Sequence, residues 1–169
     1  MDTLPGGSSM FSAESHHNLD SKHRVFMPKR FQEHLNMNPG GHRTLILTCG
    51  FEKCLFIFKE DEFDRVRERM ALKVASGLMP RKLQRMFFAN THTCQLDSSG
   101  RLVLPEKLRR HARLTKEVVM VGVDNKAEIW DKAEWADFET ENGEAFAALG
   151  EIFDSPLPPS LQNPTGGGQ

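Results

Sequence analysis

Two arginines in this sequence stand in the same short pattern, each four residues after an aspartate. Asp20 precedes Arg24, and Asp97 precedes Arg101. A guanidinium group can bind phosphate through two parallel hydrogen bonds, or read the O6 and N7 atoms of guanine. The alternative is an ion pair within each pattern that braces a turn. The spacing alone leaves both roles open for the arginines, whereas we interpret the aspartates as mainly structural, because a carboxylate repels phosphate.

Each pattern belongs to a longer repeat. Residues 19–28 read Leu-Asp-x-x-x-Arg, three apolar residues and Pro, and residues 96–105 read the same 77 positions later. Residues 50–63 then match residues 122–135 at a spacing of 72. Two matching blocks in the same order indicate an internal duplication. The sequence therefore predicts two copies of one small unit.

The residues between each aspartate and arginine predict a tight turn. Gly100 suits a turn position with a positive φ angle. Lys22 lies in the first turn, where it is placed to add a phosphate contact. Pro28 and Pro105 cannot donate a hydrogen bond to a sheet, but they suit the first turn of a helix. Each unit is thus expected to place one arginine between a turn and a short strand.

The elements that position these turns are mostly short strands. The predicted strands of the first copy are 16–19, 25–27, 45–48 and 55–58, with a short helix at about 28–35. The second copy repeats them at 93–96, 102–104, 118–121 and 127–130, with a helix at 105–111. Between the copies, Gly77 ends a helix that carries an apolar stripe: Phe63, Val66, Met70 and Val74. Pro80 opens another helix, with Leu83 and Phe87 predicted to face inward.

One unit alone has too few apolar residues for a stable core, so we expect two units to interlock their hairpins. The predicted fold class is α+β with a mostly β core, made of two tandem interlocked swapped-hairpin units and flanking helices. The predicted organisation is a flexible extension (1–9), a first unit (10–60), connecting helices (61–90), a second unit (91–134), a C-terminal helical segment (135–153) and a disordered tail (154–169).

Charge is segregated along the chain although the net charge is only −1. Residues 21–43 hold five basic side chains against one acidic, and residues 101–116 hold six against one. Residues 124–154 hold ten acidic side chains against two basic. A segregated basic surface suits a polyanion partner. The alternative is solvated faces that pair with each other across subunits.

Other classes of site have weak support. The three cysteines form no Cys-x-x-Cys pair, and the histidines at 16, 17 and 23 lack carboxylate or cysteine partners at metal-binding spacing. An aspartic-protease dyad from Asp20 and Asp97 would need Asp-Ser/Thr-Gly, which neither has. No apolar run is long enough to span a membrane, and residues 1–9 lack a secretory pattern. We expect no enzyme activity, cofactor, metal or small-molecule substrate.

The paired motifs resemble the MraZ family of bacterial transcriptional regulators. The supporting residues are Met10-Phe11, Gly122, Trp135 and the run Glu128-Ile129-Trp130-Asp131. The resemblance covers about residues 10–149. Two departures are Ser12-Ala13 in place of Arg-Gly after Phe11, and His23 in place of the glycine in the first turn.

The resemblance implies two SpoVT-AbrB-like units, a ring-shaped homo-oligomer and a cytoplasmic, nucleoid-associated protein. It also implies binding to repeated double-stranded DNA sites upstream of the division and cell wall gene cluster, and we expect repression there. In this interpretation Arg24 and Arg101 are the principal DNA contacts, with Lys22 adding to them, while Asp20, Asp97 and Gly100 shape the turns. The alternative is an oligomeric protein-interaction or antitoxin-like module without its own operator.

Overall fold

The computed structural model describes residues 11–159, which form two units, 11–135 and 136–159. The strands are β1 Glu14–Asn18, β2 Arg24–Phe26, β3 Asn36–Met37, β4 Arg43–Cys49, β5 Cys54–Phe58, β6 His92–Gln95, β7 Arg101–Val103, β8 Glu117–Val123 and β9 Lys126–Asp131. The helices are α1 Lys29–Gln32, α2 Glu60–Ala75, α3 Arg81–Phe88, α4 Glu106–His111, α5 Lys132–Glu141, α6 Gly143–Ala147 and α7 Leu149–Asp154. The fold is α+β, as predicted.

The strands exchange partners between the two copies of the repeat. In the main antiparallel sheet the order is β1-β8-β9-β5-β4-β3, and β6 also pairs with β4. The first strand of copy one (β1) therefore pairs with copy two (β8), and the first strand of copy two (β6) pairs with copy one (β4). The second strands, β2 and β7, pair with each other in a separate ribbon. This exchange confirms that the two copies of the repeat are interlocked.

The core lies where the two copies meet. Val25 and Leu102 are opposite each other in the β2–β7 ribbon, and both are fully buried. Met27 and Leu104, two positions further along, are buried in the same cluster. Burying each such side chain contributes about 1.5–3 kcal/mol. Because both copies supply these residues, neither ribbon strand can bury its inward face without the other copy.

The prolines start helices as predicted, although the first helix is shorter than expected. Pro28 and Pro105 lie at the N-cap positions of α1 and α4. Helix α1 ends at Gln32 rather than near residue 35, whereas α4 reaches His111. After α1 the chain continues through a short strand, β3, which pairs with β4 and was not predicted.

The connecting helices end and begin at the predicted residues. Gly77 has φ 75°, and the amide of Leu78 donates to the carbonyl oxygen of Lys73 at 2.9 Å, which closes the end of α2. Pro80 is the N-cap of α3. The predicted inward orientation of Leu83 is wrong, because its side chain is 47% exposed, whereas Phe87 is half-buried. Leu83 lies on the open side of a groove rather than in the core.

The C-terminal unit, residues 136–159, contains the end of α5 and the short helices α6 and α7. The segment predicted to be helical over 135–153 is thus divided among three helices. The predicted extension at 1–9 and most of the predicted tail lie outside the described residues. Within the described part, no helix combines the length and apolar character needed to cross a membrane.

Candidate nucleic-acid interface

The first Asp-x-x-x-Arg pattern is a hydrogen-bonded turn closed by its own aspartate. Oδ1 of Asp20 accepts hydrogen bonds from the amides of Lys22 and Arg24, both at 2.9 Å. Oδ2 of Asp20 accepts a hydrogen bond from Nε of Arg24 at 2.7 Å. The aspartate therefore fixes both the backbone of the turn and the base of the guanidinium group.

The second turn repeats this geometry. Oδ1 of Asp97 accepts from the amides of Ser99 and Arg101 at 2.9 Å, and Oδ2 accepts from Nε of Arg101 at 2.9 Å. The bracing ion pair considered from the sequence is thus present in both turns. It uses Nε of each arginine, so bracing by the aspartate and DNA contact through the terminal nitrogens are compatible roles.

The two turns lie at opposite ends of the short β2–β7 ribbon, and their side chains approach each other across it. Nη1 of Arg24 is 4.0 Å from Oδ2 of Asp97, and Nη1 of Arg101 is 3.8 Å from Oδ2 of Asp20. In the ribbon, Arg24 pairs with Val103 and Arg101 pairs with Phe26. The structure therefore brings the four residues singled out from the sequence into one cluster, related by an approximate two-fold.

A left-handed backbone occurs at the same position of both turns. His23 has φ 57° and Gly100 has φ 77°. The carbonyl oxygen of His23 accepts from the amide of Leu104 at 3.0 Å, and that of Gly100 accepts from the amide of Met27 at 2.9 Å. The histidine that replaces glycine in the first turn thus adopts the glycine conformation, and each turn is held by the strand of the other copy.

The aspartates in the turns are held in their ionised form. Backbone hydrogen bonding from Arg24 is the largest cause that lowers the pKa of Asp20, to about 2. The pKa of Asp97 is also lowered, chiefly by the backbone hydrogen bond from Arg101. Each turn therefore contains one balanced Asp–Arg pair at neutral pH. Lys22, which forms no ion pair within residues 11–159, adds a positive charge to the first turn.

The outward side of the ribbon combines cationic and apolar side chains. Val25 and Leu102 point inward, so strand alternation directs their neighbours outward. Phe26 is 40% exposed and Val103 is 57% exposed, and they flank the partly buried arginines. We refer to Arg24, Phe26, Arg101 and Val103 together as the ribbon face.

A comparison with models of protein families places the chain by its two repeated regions. The family model described as "MraZ protein, putative antitoxin-like" matches residues 10–77 and 87–151, which is more than half of the chain. The chain belongs to the MraZ family. The two matched regions correspond to the two copies of the repeat, and MraZ membership indicates a regulator-like role. MraZ is not an enzyme family, which agrees with the prediction for this chain.

Two side chains that stabilise the ends of the ribbon strands were not recognised as structural from the sequence. Nε2 of Gln32 on α1 donates to the carbonyl oxygen of Met27 at 2.7 Å. Nε of Arg109, at the matching position of α4, donates to the carbonyl oxygen of Leu104 at 3.0 Å. Each closes the end of a ribbon strand. The 77-residue spacing between positions 32 and 109 is the signal that relates them.

Most of the other basic residues considered for a DNA surface have partners within the chain. Nη2 of Arg30 donates to the carbonyl oxygen of Glu14 at 3.1 Å. Arg110 pairs with Glu106 at 2.7 Å on α4. Nη1 of Arg113 lies 3.5 Å from Oε1 of Glu134. These contacts indicate that the three arginines belong to solvent-exposed surfaces with internal partners, rather than to a row of phosphate-binding residues.

The described residues contain no cluster of three or more metal-ligating side chains, and their three cysteines are unpaired thiols. Burial raises the pKa of Cys54 far above its usual range, and it also raises the pKa of Cys94 and Cys49. These thiols are therefore poor nucleophiles and poor metal ligands. The chemistry of this region is that of charge and hydrogen bonding.

Proposed function

We propose that this MraZ protein is a sequence-specific DNA-binding transcriptional regulator that contacts double-stranded DNA through its ribbon face. The observation that carries the proposal is the pair of turns in which Asp20 and Asp97 orient Arg24 and Arg101. Each aspartate binds Nε of its own arginine and lies within 4.0 Å of Nη1 of the other, so Nη2 is the nitrogen left for a ligand. A guanidinium group held in place loses less side-chain entropy on binding than a mobile one.

The shape of the ribbon also suits DNA. The major groove admits a two-stranded β-ribbon, and arginine pairs with guanine O6 and N7 there. The same groove presents the methyl group of thymine, which apolar side chains contact. On this proposal Arg24 and Arg101 bind guanine or phosphate, Lys22 adds a phosphate contact, and Phe26 and Val103 lie against base edges.

One ribbon offers few contacts, so the proposal includes assembly. A ring-like homo-oligomer that presents several ribbons engages several promoter repeats at once, and effective concentration then raises the overall affinity. The proposed sites are the repeats upstream of the division and cell wall gene cluster, with repression as the outcome and the nucleoid as the place of action. This is the function that MraZ membership and the paired arginine turns support together.

The test is a mobility shift with the upstream region of the protein's own gene at two salt concentrations. Arg24→Ala is expected to lose about 5- to 150-fold in affinity, since a bidentate base contact is worth about 1–3 kcal/mol. Arg24→Lys keeps the positive charge but loses the planar guanidinium group with its paired donors. Its affinity for DNA is expected to lie between those of the wild type and Arg24→Ala. Arg110→Ala is the matched control, because it removes an exposed arginine outside the ribbon face. If Arg24→Ala assembles and retains full affinity, the site assignment is wrong.

A second candidate is an antitoxin-like or protein-interaction module without its own operator. The description of the family as antitoxin-like favours it. The two functions differ in their response to salt, because phosphate contacts make DNA affinity fall steeply as salt rises. If the protein binds no DNA even at low salt, the proposed regulator function is wrong and the protein-interaction module is the function that remains.

A further inference from the structure

An open apolar groove lies on the side of the N-terminal unit formed by α2, α3 and the turn between β4 and β5. Its volume is about 620 Å³. The apolar lining comes mainly from Phe51, Met70, Met79, Leu83, Met86 and Phe87. Three of the six are methionines, whose flexible side chains adapt to the surface of a partner. The groove is distinct from the ribbon face, because it shares no residue with it.

The apolar side chains of the groove are exposed to solvent, which indicates that a partner binds there. Phe51 is 83% exposed at one wall and Met86 is 63% exposed at the other. Single exposed apolar residues are common on protein surfaces, but a continuous lined groove marks a binding site. The side chain of Phe51 contacts Phe56 and Phe87 edge-on or tilted, with ring centroids 5.3 and 6.4 Å apart, so the wall has a defined position.

The groove is bordered by positive charge. Arg69 and Lys73 line it directly. From residue 69 to residue 88 the chain holds five basic side chains and no acidic one: Arg69, Lys73, Arg81, Lys82 and Arg85. None of the five forms an ion pair within residues 11–159. An occupant that is apolar on one face and acidic elsewhere would satisfy both properties of the groove.

The C-terminal unit has that composition. Residues 136–159 hold six acidic side chains and no basic one. Phe146 on α6 and Phe153 on α7 are 76% and 80% exposed, and Leu149 lies between them. α6 and α7 are separate short helices, and each of them exposes a phenylalanine beside the acidic side chains. We propose that α6 and α7 of a second copy of this chain dock into the α2–α3 groove.

Each chain then offers one groove and one acidic segment, so the contact is head-to-tail. Such a heterologous contact continues from copy to copy until a ring closes or a filament forms. This inference rests on the assembly included in the proposed function and deepens it, since it assigns the surface through which the copies associate and involves no DNA. Its failure would leave the DNA contacts of the ribbon face untouched.

The first experiment measures the mass of the full-length chain in solution by light scattering. Phe51→Asp alters the groove and Phe153→Asp alters the segment. Each variant is expected to fall from the wild-type oligomer to the mass of a single chain. Leu72→Asp is the matched control, because Leu72 is a 70% exposed apolar residue on α2 that does not line the groove. Circular dichroism melting confirms that all three variants are folded.

Mixing the two monomeric variants separates the proposal from every other mode of association. The Phe51→Asp chain keeps an intact segment, and the Phe153→Asp chain keeps an intact groove. An equimolar mixture is expected to form pairs of twice the single-chain mass and nothing larger. The proposal is overturned if the mixture stays monomeric, if either variant retains the wild-type mass, if Leu72→Asp also dissociates, or if the wild type is itself a single chain.

Discussion

His23 and Gly100 occupy the same position in the two arginine turns, and both have a left-handed backbone, with φ angles of 57° and 77°. The turns are therefore equal in shape although their sequences differ. In each turn the carbonyl oxygen of this residue accepts a hydrogen bond from the strand of the other copy. The left-handed conformation is thus a requirement of the interlocked fold, which glycine meets more easily than histidine.

Replacing His23 by glycine is expected to stabilise the fold. A left-handed conformation costs a non-glycine residue about 1–2 kcal/mol, whereas the added flexibility of glycine in the unfolded chain offsets about 0.4–1 kcal/mol of the gain. The free energy of unfolding of His23→Gly should rise by about 0.5–1 kcal/mol, as measured by urea denaturation. A decrease would mean that the imidazole makes a stabilising contact that outweighs the backbone strain.

The reciprocal change, Gly100→Ala, is expected to destabilise the fold by about 1–3 kcal/mol. A Cβ at this position would collide with Nε2 of Gln32, which donates to the carbonyl oxygen of Met27. The substitution therefore adds backbone strain and displaces the side chain that closes a ribbon strand. Urea denaturation checks the magnitude. Gly143→Ala is the matched control, since its Cβ would meet nothing within 4 Å.

The aspartates of the turns predict a loss of stability in acid. The folded-state pKa of Asp20 is about 2, below the ordinary value of 3.8. A lowered pKa contributes stability that is complete above the ordinary value and disappears as the pH falls through the folded value. The difference in unfolding free energy between wild type and Asp20→Asn should therefore shrink between about pH 4 and pH 2. A difference that stays constant over this interval would contradict the role of the carboxylate, and Asp97→Asn should behave in the same direction.

Substitution of Phe26 is expected to change the sequence specificity of DNA binding without changing the stability of the fold. Its side chain is partly exposed on the ribbon face, next to the fully buried Val25. Phe26→Ser should lower discrimination between the operator and an operator with substituted thymines by about tenfold, with little change in melting temperature. Val25→Ser should unfold the protein instead, because it places a hydroxyl in the core. Competition binding with the two DNA sequences checks the first outcome. Equal discrimination by wild type and Phe26→Ser would remove the residue from the proposed contact.

The repeat in the sequence was sufficient to predict the turns, the ribbon strands and the helix starts at Pro28 and Pro105. Each depends on local chemistry, namely an aspartate that accepts turn amides and a proline that lacks an amide proton. The exposure of Leu83 and the strand β3 were not predictable in the same way. Both depend on which surface the rest of the chain covers, and helical spacing or local composition does not specify that.

The cluster of arginines and aspartates was only partly predictable. The internal pairs, such as Asp20 with Arg24, follow from the spacing of four residues. The approach of Arg24 to Asp97, at 4.0 Å, depends on the pairing of β2 with β7 across 77 residues of sequence. Duplication predicted that two similar turns exist and that their hairpins interlock. The register of β2 with β7 and the distances between the two turns became visible in the structure.

The account depends most on Arg24 and Arg101 as DNA contacts, and the salt dependence of binding tests this most directly. Operator affinity would be measured over a range of salt concentrations for wild type, Arg24→Ala, Arg101→Ala and the control Arg110→Ala. Each turn variant is expected to bind more weakly; loss of a phosphate contact reduces the slope of log affinity against log salt by about 1, whereas loss of a guanine contact changes the slope little. Arg110→Ala should match the wild type. Turn variants that assemble normally and keep the wild-type affinity and slope would contradict the account.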